Sequence, residues 1–241
     1  MNLNASSTRD GEQRRVAVVT GTSSGIGQVI GEQLLGDGWV VHGLDVTPPR
    51  IEHAHFHASR VDLSDGQAAS EAARSCLHAD ALIHAAGVLR VGRLGALSPE
   101  DGELMWRLHV AAAIRLADVL VPAMAARHSG RVVMIGSRVA QGKAGRSQYA
   151  ATKAALVALA RSWAAEVAGQ GVTVNVVSPA ATQTGMLEDP RRSAETPQLP
   201  PIGRLIAPRE IAAMVMFLLS EAASPVTGQD IQICGGSSLA R

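Results

Sequence analysis

Short apolar segments alternate with longer segments of helical character along most of the chain. Val16 begins a continuous apolar run that leads into Thr20. Such a run is typical of a strand buried on both faces. The same pattern predicts strands at residues 39–44, 81–84, 131–135, 172–177 and 230–233, with a weak third strand that ends at Val61.

Helical segments separate these strands. They are predicted near residues 25–36, from Ser98 to His128, from Ser147 to Ala168 and from Pro208 to Glu221. Strands that alternate with helices pair in parallel through right-handed crossovers. We therefore predict an α/β fold with one doubly wound sheet of seven parallel strands flanked by helices.

The segments outside this pattern set the predicted boundaries. Residues 1–14 are polar, and we expect them to form a flexible tail that precedes one domain over residues 15–241. Residues 185–207 contain four prolines and no clear periodicity, which indicates a loop that acts as a lid over the substrate.

Composition and charge exclude several classes of function. The chain has 22 basic and 21 acidic residues, so charge gives no support for binding to nucleic acid or to an anionic membrane. Residues 1–15 lack the apolar core of a signal peptide, and apolar runs such as Ile211 to Leu219 are too short to span a bilayer. These features predict a cytoplasmic protein.

The sequence does not predict a metal site. Cys76 and Cys234 lack the CxxC spacing, which argues against zinc and against a disulfide framework. His53, His55 and His57 alternate, but no carboxylate or cysteine accompanies them at a useful spacing. We interpret this histidine run as a solvated loop.

A glycine-rich turn joins the first predicted strand to the first helix. It contains Gly21, Gly25 and Gly27, a spacing that differs from the common GxGxxG pattern but serves the same purpose. Glycines permit a tight turn and let a pyrophosphate approach the backbone, while the helix N-terminus offers free N–H groups. The turn therefore predicts nucleotide binding.

The acidic residue Asp45 ends the second predicted strand, 18 residues after Gly27. A carboxylate at this point accepts hydrogen bonds from the adenosine ribose and repels a 2′-phosphate. The turn itself carries Ser23 and Ser24 rather than Arg or Lys. We therefore predict NAD as the cofactor, with NADP less favoured.

Tyr149 and Lys153 are spaced i, i+4 near the start of a predicted helix, so both side chains can reach one cleft. A nearby ammonium group lowers the pKa of a phenol, which allows proton exchange with a substrate hydroxyl near neutral pH. Ser137 follows the fifth strand, where its hydroxyl can donate to a substrate oxygen. Taken alone, the Tyr–Lys spacing also occurs in ordinary surface pairs.

The motif set as a whole resembles the short-chain dehydrogenase/reductase (SDR) family, whose domain is of the Rossmann type. The resemblance covers residues 15–238 and rests on the glycine turn, Asp62, Ala86-Gly87, Ser137, Tyr149-x3-Lys153, Asn175, Pro179-x4-Thr184 and Thr227-Gly-Gln…Gly235-Gly236. It implies that Tyr149 is the general acid/base, that Lys153 tunes Tyr149 and binds ribose, and that Ser137 polarises the substrate. It also implies a homotetramer built through the two long helices.

The cofactor contacts predicted from the motifs and the resemblance form one set. Asp62 and Leu63 would contact adenine, and residues 179–184 would contact the nicotinamide amide and the phosphates. The full set is Gly21, Ser23, Ser24, Gly25, Ile26, Gly27, Asp45, Asp62, Leu63, His84, Ala86, Gly87, Tyr149, Lys153, Pro179, Thr182 and Thr184.

The chain departs from the family pattern in three segments. His84-Ala-Ala-Gly87 replaces Asn-Asn-Ala-Gly, Ala180 replaces a glycine, and His109 stands where the long helix usually has an asparagine. In the family that asparagine supports a water chain to the active-site lysine, largely through its backbone carbonyl. His109 is therefore either a member of the proton path, because its pKa lies near neutrality, or a packed helix residue.

These observations give three hypotheses of function. The first is an NAD-dependent oxidoreductase that interconverts a secondary alcohol and a ketone; segments resembling the 2,3-dihydro-2,3-dihydroxybenzoate dehydrogenases make a cyclic diol a candidate substrate. The alternatives are an NADP-dependent 3-oxoacyl thioester reductase and a nucleotide-binding regulator with weak catalysis. Four arginines near the carboxyl edge of the sheet either select an anionic substrate or are rim charges: Arg90, Arg93, Arg138 and Arg146.

Overall fold

The computed structural model describes residues 14–187 and 198–239. These residues contain one sheet of seven strands in the order β3-β2-β1-β4-β5-β6-β7, and every pair of neighbours is parallel. The strands are β1 Val16–Thr20, β2 Val40–Asp45, β3 Phe56–Arg60, β4 Ala81–His84, β5 Gly130–Ile135, β6 Val172–Pro179 and β7 Asp230–Ile233. The predicted seven-stranded parallel sheet is thus confirmed.

Helices cover both faces of the sheet. They are α1 Gly25–Gly36, α2 Gly66–Arg74, α3 Pro99–Trp106, α4 Ala112–Ala126, α5 Ser147–Val167 and α6 Pro208–Leu218. On one face α1 and α6 pack against the sheet, and on the other face α2, α4 and α5 do so. Each predicted helix corresponds to one or two of these elements.

The alternation of side chains along β1 explains why both faces are covered. Val16 and Val18 belong to the core under α2, α4 and α5, whereas Ala17 and Val19 belong to the core under α1 and α6. Because a strand points successive side chains to opposite faces, an unbroken apolar run must be buried twice. Burial of one Leu or Val side chain contributes roughly 1.5–3 kcal/mol, so both layers are needed for stability.

Three elements differ from the predictions. No helix was predicted between β3 and β4, yet α2 forms there, with the Asp65 side chain accepting from the N–H groups of Gln67 and Ala68 at its start. The predicted helix from Ser98 to His128 is interrupted by a π-turn at Arg107–Ala111, where the Ala112 N–H donates to the Arg107 carbonyl. The third strand ends at Arg60 rather than at Val61.

Within the described residues, the stretch Pro99–Ala126 has the length and apolar composition of a helix that could cross a membrane. Half of its most apolar window is buried inside the fold, where α4 packs on the sheet. This stretch lies within the helix predicted from Ser98 to His128, and it is longer than the apolar run Ile211 to Leu219.

The strand order reverses its direction at the pair β1–β4. The chain moves outward from β1 through β2 to β3, then returns to β4 on the other side of β1 and continues to β7. Loops that leave β1 and β4 therefore run to opposite sides, and a crevice opens at the carboxyl ends of these strands. Most of the predicted site residues lie at the ends of strands β1 to β6 or in the segments that follow them, at this edge.

Candidate active site

A cavity of about 860 Å³ occupies the carboxyl edge of the sheet. Most of the predicted site residues line it: Gly21, Ser24, Gly25, Ile26, Gly27, Asp45, Asp62, Leu63, Ala86, Gly87, His109, Ser137, Tyr149, Lys153, Pro179, Thr182 and Thr184. Ser23 and His84 do not line it and lie behind its wall. The sheet thus brings side chains from five loops and three helices into one space.

The glycine turn fits a pyrophosphate. Gly21 and Gly25 have φ values of 75° and 57°, which favour glycine. A Cβ on Gly27 would lie 2.2 Å from the Gly21 carbonyl oxygen, so only glycine allows this close turn. No side chain caps α1 at Ser24 and its first turn holds no acidic residue, which leaves its N-terminal N–H groups available to an anion.

Asp45 lies at the end of β2 and lines the same cavity. Its carboxylate accepts from the Ser23 N–H at 2.9 Å and from the Thr47 N–H at 2.8 Å. Each oxygen keeps capacity for a further donor, such as a ribose hydroxyl. Ser23, predicted to contact the cofactor, instead donates its hydroxyl to the Thr47 carbonyl and ties the glycine turn to the segment after β2.

Tyr149 and Lys153 lie on the first two turns of α5, and both are buried. The Lys153 ammonium donates to the Ile135 carbonyl at the end of β5, 2.8 Å away, and lies 5.8 Å from the centre of the Tyr149 ring. Ser137 follows β5 by two residues and lines the cavity. The helix spacing and the end of β5 therefore bring all three side chains together, as the sequence predicts.

Burial has a direct electrostatic effect on Lys153. Removal of its ammonium group from water lowers its pKa from 10.5 to about 7. Desolvation disfavours the charged form because the protein interior solvates an isolated cation poorly. A lysine in this state can exchange its proton near neutral pH, and while charged it favours the phenolate form of a neighbouring tyrosine.

His109 lies in the π-turn and is fully buried. Its Nδ1 lies 2.9 Å from the Thr152 hydroxyl, which itself donates to the Tyr149 carbonyl, and its Nε2 accepts from the Val88 N–H at 3.0 Å. Because the Thr152 hydroxyl donates its proton to the Tyr149 carbonyl, it can only accept from His109. Nδ1 of His109 therefore carries the ring proton and donates to Thr152. The imidazole is therefore neutral with both nitrogens engaged, an arrangement that supports the packed-residue interpretation over a proton path through its ring.

The pKa of His109 agrees with this assignment. Burial and the neighbouring charge of Lys153 hold it well below the usual 6.5. The ring also packs edge-on to Tyr149, with 5.6 Å between ring centroids and an angle of 89° between their planes. His109 thus helps to fix the position of the Tyr149 ring.

His84 belongs to the same buried network. The Thr20 hydroxyl accepts from the N–H groups of Ala85 and Ala86 and contacts Nδ1 of His84 at 3.1 Å. The Thr20 hydroxyl must therefore donate its own proton to Nδ1 of His84. The ring proton of His84 is then on Nε2, which donates to the His109 carbonyl at 3.1 Å. Burial and the charge of Lys153 lower the pKa of His84 to about 4, so this ring is neutral as well.

The other end of the cavity is basic, a feature that the motifs only hinted at. Arg138, Lys143 and Arg146 line it after β5, together with apolar side chains such as Leu89 and Val139. Of the four arginines that the sequence placed at this edge, Arg90 pairs with Asp101 at 3.4 Å, and neither Arg90 nor Arg93 lines the cavity. Lys143 had no motif to signal it, because its position depends on the loop after β5.

Outside the cavity, the histidine run places His57 on the exposed strand β3 and His53 and His55 in the loop before it. Within residues 14–187 and 198–239, no group of histidine, cysteine and carboxylate side chains has the arrangement of a metal site. Residues 188–197 of the predicted lid and nearly all of the predicted tail lie outside the described residues. The flanks of the lid, including Met186 and Leu199, line the cavity.

Known proteins with similar sequences and structures identify the group to which this site belongs. A family model described as Enoyl-(Acyl carrier protein) reductase matches residues 21–238. The 3-oxoacyl-[acyl-carrier-protein] reductase FabG of Salmonella typhimurium is 33% identical over 92% of this chain and 96% of its own length. The 2,3-dihydro-2,3-dihydroxybenzoate dehydrogenase of Escherichia coli is 34% identical over the same shares of the two chains.

A solved structure agrees with these relatives. The crystal structure of 3-oxoacyl (acyl-carrier-protein) reductase from Agrobacterium tumefaciens C58 with NADP bound has a TM-score of 0.83 and 31% identity, over 92% of this chain and 93% of that chain. Family, fold and motif order coincide along nearly the whole chain. The protein is therefore a member of the short-chain dehydrogenase/reductase family, an NAD(P)-type oxidoreductase that acts on CH–OH groups.

Proposed function

We propose that the protein interconverts a secondary alcohol and a ketone with NAD as the cofactor, and that Tyr149 is its general acid/base. The observation that carries the proposal is the convergence of Ser137, Tyr149 and Lys153 on the cavity that also contains the glycine turn. Bound NAD would accept the hydride from the carbinol carbon. The chain's own groups would handle the proton.

The roles of the three side chains follow from their surroundings. Tyr149 would take the hydroxyl proton as the hydride leaves, so that alcohol and NAD⁺ give ketone, NADH and one proton. Lys153 would stabilise the phenolate, because its ammonium group lies close to the phenol ring in a site with little water. The Ser137 hydroxyl would donate to the substrate oxygen as its charge changes.

NAD is favoured over NADP by Asp45. A 2′-phosphate on the adenosine ribose would lie beside this carboxylate and be repelled, whereas a free 2′-hydroxyl would find an acceptor. NADP is the competing cofactor, since the Agrobacterium relative was solved with it and the exposed Arg60 lies opposite Asp45 in the register of β2 and β3. The choice is tested directly by the cofactor preference of the purified protein.

The related 3-oxoacyl reductases support a second candidate, reduction of a 3-oxoacyl thioester with NADPH. The dihydroxybenzoate dehydrogenase supports the first, oxidation of a cyclic diol. A regulator with weak catalysis is the least favoured, because the Ser137, Tyr149 and Lys153 side chains and their supporting contacts are complete. We also propose the homotetramer through α4 and α5, which light scattering of the purified protein tests.

Turnover separates these candidates. The protein would be assayed with NAD⁺ on cyclohexanol and trans-1,2-cyclohexanediol, and with NADH and NADPH on the N-acetylcysteamine thioester of acetoacetate. We expect NADH formation with the diol, and a loss in Tyr149→Phe of about 100-fold or more in kcat. Preferred reduction of the thioester with NADPH would favour the reductase, and tight NAD binding without turnover of any alcohol or ketone would favour the regulator.

A further inference from the structure

We propose that the substrate carries a carboxylate group and that Arg146 binds it. The inference rests on the proposed function, since it places this anion beside the reacting hydroxyl or ketone. The main observation behind it is that the Arg146 side chain lines the cavity and yet is only 8% exposed.

Arg146 has no counterion in the part of the chain that the structure describes. Among residues 14–187 and 198–239, its side chain has no hydrogen bond or ion pair, although its charge is largely removed from water. A buried guanidinium group is costly unless an anion or several acceptors compensate it. The other buried arginines at comparable exposure have acceptors, as in the Arg90–Asp101 pair and in the contacts of Arg131 with the carbonyls of Gly130 and Gly171.

The distribution of charge within the cavity points the same way. Among the described lining residues, the carboxylates are Asp45 and Asp62, which follow β2 and β3 at the adenosine end. Arg138, Lys143 and Arg146 all lie at the opposite end, after β5. An anion is therefore repelled from the first end and attracted to the second.

Arg146 also has a fixed position relative to the reacting groups. It is the residue directly before α5, three positions before Tyr149, and both residues line the same cavity. The first turn of α5 has no acidic residue, so the helix dipole adds to the positive potential there. An anion bound by Arg146 would thus lie in the same cavity as the Tyr149 side chain.

The surrounding surface indicates the body of the substrate. Leu89, Leu104, Val139 and Leu199 line the same cavity. An apolar wall beside the Arg146 guanidinium group suits a compact carbon skeleton that bears a carboxylate, since the guanidinium fork matches two carboxylate oxygens. We therefore infer a cyclic or short-chain hydroxy acid or keto acid as the substrate class.

A matched pair of ketones tests the inference. The initial rates with NADH, and with NADPH, would be compared for 3-oxocyclohexanecarboxylate and for its uncharged analogue 3-oxocyclohexanecarboxamide. We expect wild-type kcat/KM to favour the carboxylate by about tenfold or more, chiefly through KM. In Arg146→Met this preference should fall to near unity, while kcat/KM for the carboxamide stays within about threefold of wild type.

Arg74→Met is the control variant, since Arg74 is exposed at the end of α2 and lies outside the cavity. It removes the same charge and should leave the ratio of the two ketones unchanged. Equal kcat/KM for both ketones in the wild-type protein, or an undiminished preference in Arg146→Met, would overturn the inference.

A binding measurement keeps the inference testable if Arg146→Met does not fold or if neither ketone reacts. Cyclohexanecarboxylate and cyclohexanecarboxamide would be titrated by calorimetry into the wild-type protein saturated with NADH. Tighter binding of the carboxylate supports the Arg146 site even if the proposed alcohol chemistry fails. Turnover of the carboxamide without any preference for the carboxylate, in rates or in binding, would retain the proposed function and reject the site.

Discussion

The Nε2–H group of His84 donates to the backbone carbonyl of His109 at 3.1 Å. Both residues lie in segments that depart from the common family pattern, and the side chain of one contacts the backbone of the other. His84 is the last residue of β4, and His109 lies in the π-turn. The Thr20 hydroxyl, at the end of β1, contacts Nδ1 of His84. The substitutions therefore form one buried unit rather than two separate losses.

Replacement of His109 by Asn tests whether its ring carries a proton. An Asn side chain has an acceptor for the Val88 N–H and a donor for Thr152, and the backbone carbonyl that accepts from His84 remains. We expect kcat to stay within about tenfold of wild type. The check is a steady-state assay with the best secondary alcohol and NAD⁺, and a fall of two decades or more would instead show that the imidazole takes part.

Gly87 should not tolerate a side chain. A Cβ at this position would lie 2.9 Å from Nε2 of His109 and 3.7 Å from Nζ of Lys153, so Gly87→Ala must displace the imidazole from the Val88 N–H. We expect a loss of about 1–3 kcal/mol in the free energy of unfolding, together with reduced kcat/KM.

Gly36→Ala is the matched control for this change. Gly36 ends α1, and a Cβ there would have no neighbour within 4 Å. Urea unfolding and kcat/KM of this variant should equal those of wild type or show slight stabilisation, because alanine favours a helix. If Gly87→Ala and Gly36→Ala have the same free energy of unfolding and the same kcat/KM, the space around His109 is not as crowded as the structure indicates.

Lys153 should make the stability of the free protein depend on alkaline pH. Its pKa is lowered from 10.5 to about 7 in the folded protein, so between these values the unfolded chain binds more protons than the folded one. The free energy of unfolding therefore gains a contribution that rises with pH over this window, and the cost of the buried charge is fully present below pH 7.

Urea unfolding at pH 7, 8 and 9 compares wild type with Lys153→Met. The free energy of unfolding of Lys153→Met minus that of wild type should fall as the pH rises. Arg74→Met removes an exposed positive charge and should give a constant difference. A constant difference for Lys153→Met too would mean that Lys153 is not desolvated in solution.

Asp45→Ala should narrow the preference between the two cofactors. The change removes the acceptor for the ribose hydroxyl and the repulsion of a 2′-phosphate, so kcat/KM with NAD should fall about tenfold while that with NADP falls less or rises. Steady-state assays with both cofactors measure the ratio, and thermal unfolding accounts for the lost contacts with Ser23 and Thr47. An unchanged ratio would refute the assignment of NAD to Asp45.

The sequence predicts the sheet well because burial on two faces leaves a plain signal. Val16 to Val19 and the strand from Val172 are continuous apolar runs, and the structure places them as central strands. Helix α2 leaves almost no such signal, since only Ala69 and Ala73 of its residues are buried. Its cap residue, Asp65, is the one local sign that was available.

The candidate site is predictable as far as topology decides it. Parallel strands bring their carboxyl ends to one edge, so Gly21, Asp45, Ser137 and Tyr149 come together as expected. Whether a residue lines the cavity or lies behind it depends on tertiary contacts. For that reason the sequence predicts a cofactor contact for His84, whereas the structure places its side chain against Thr20. The burial of Arg146 is likewise a property of packing that no local pattern reveals.

The network from Thr20 through His84 to His109 is complete without any ligand. Its donors and acceptors are all supplied by the chain, and they tie β1, β4 and the π-turn at the point where the crevice opens. A cofactor that enters this crevice meets a floor that is already rigid, so little conformational entropy is lost there on binding. The entropy cost of forming the complex then falls mainly on cofactor and substrate, and affinity at this end depends on how well they match a fixed shape.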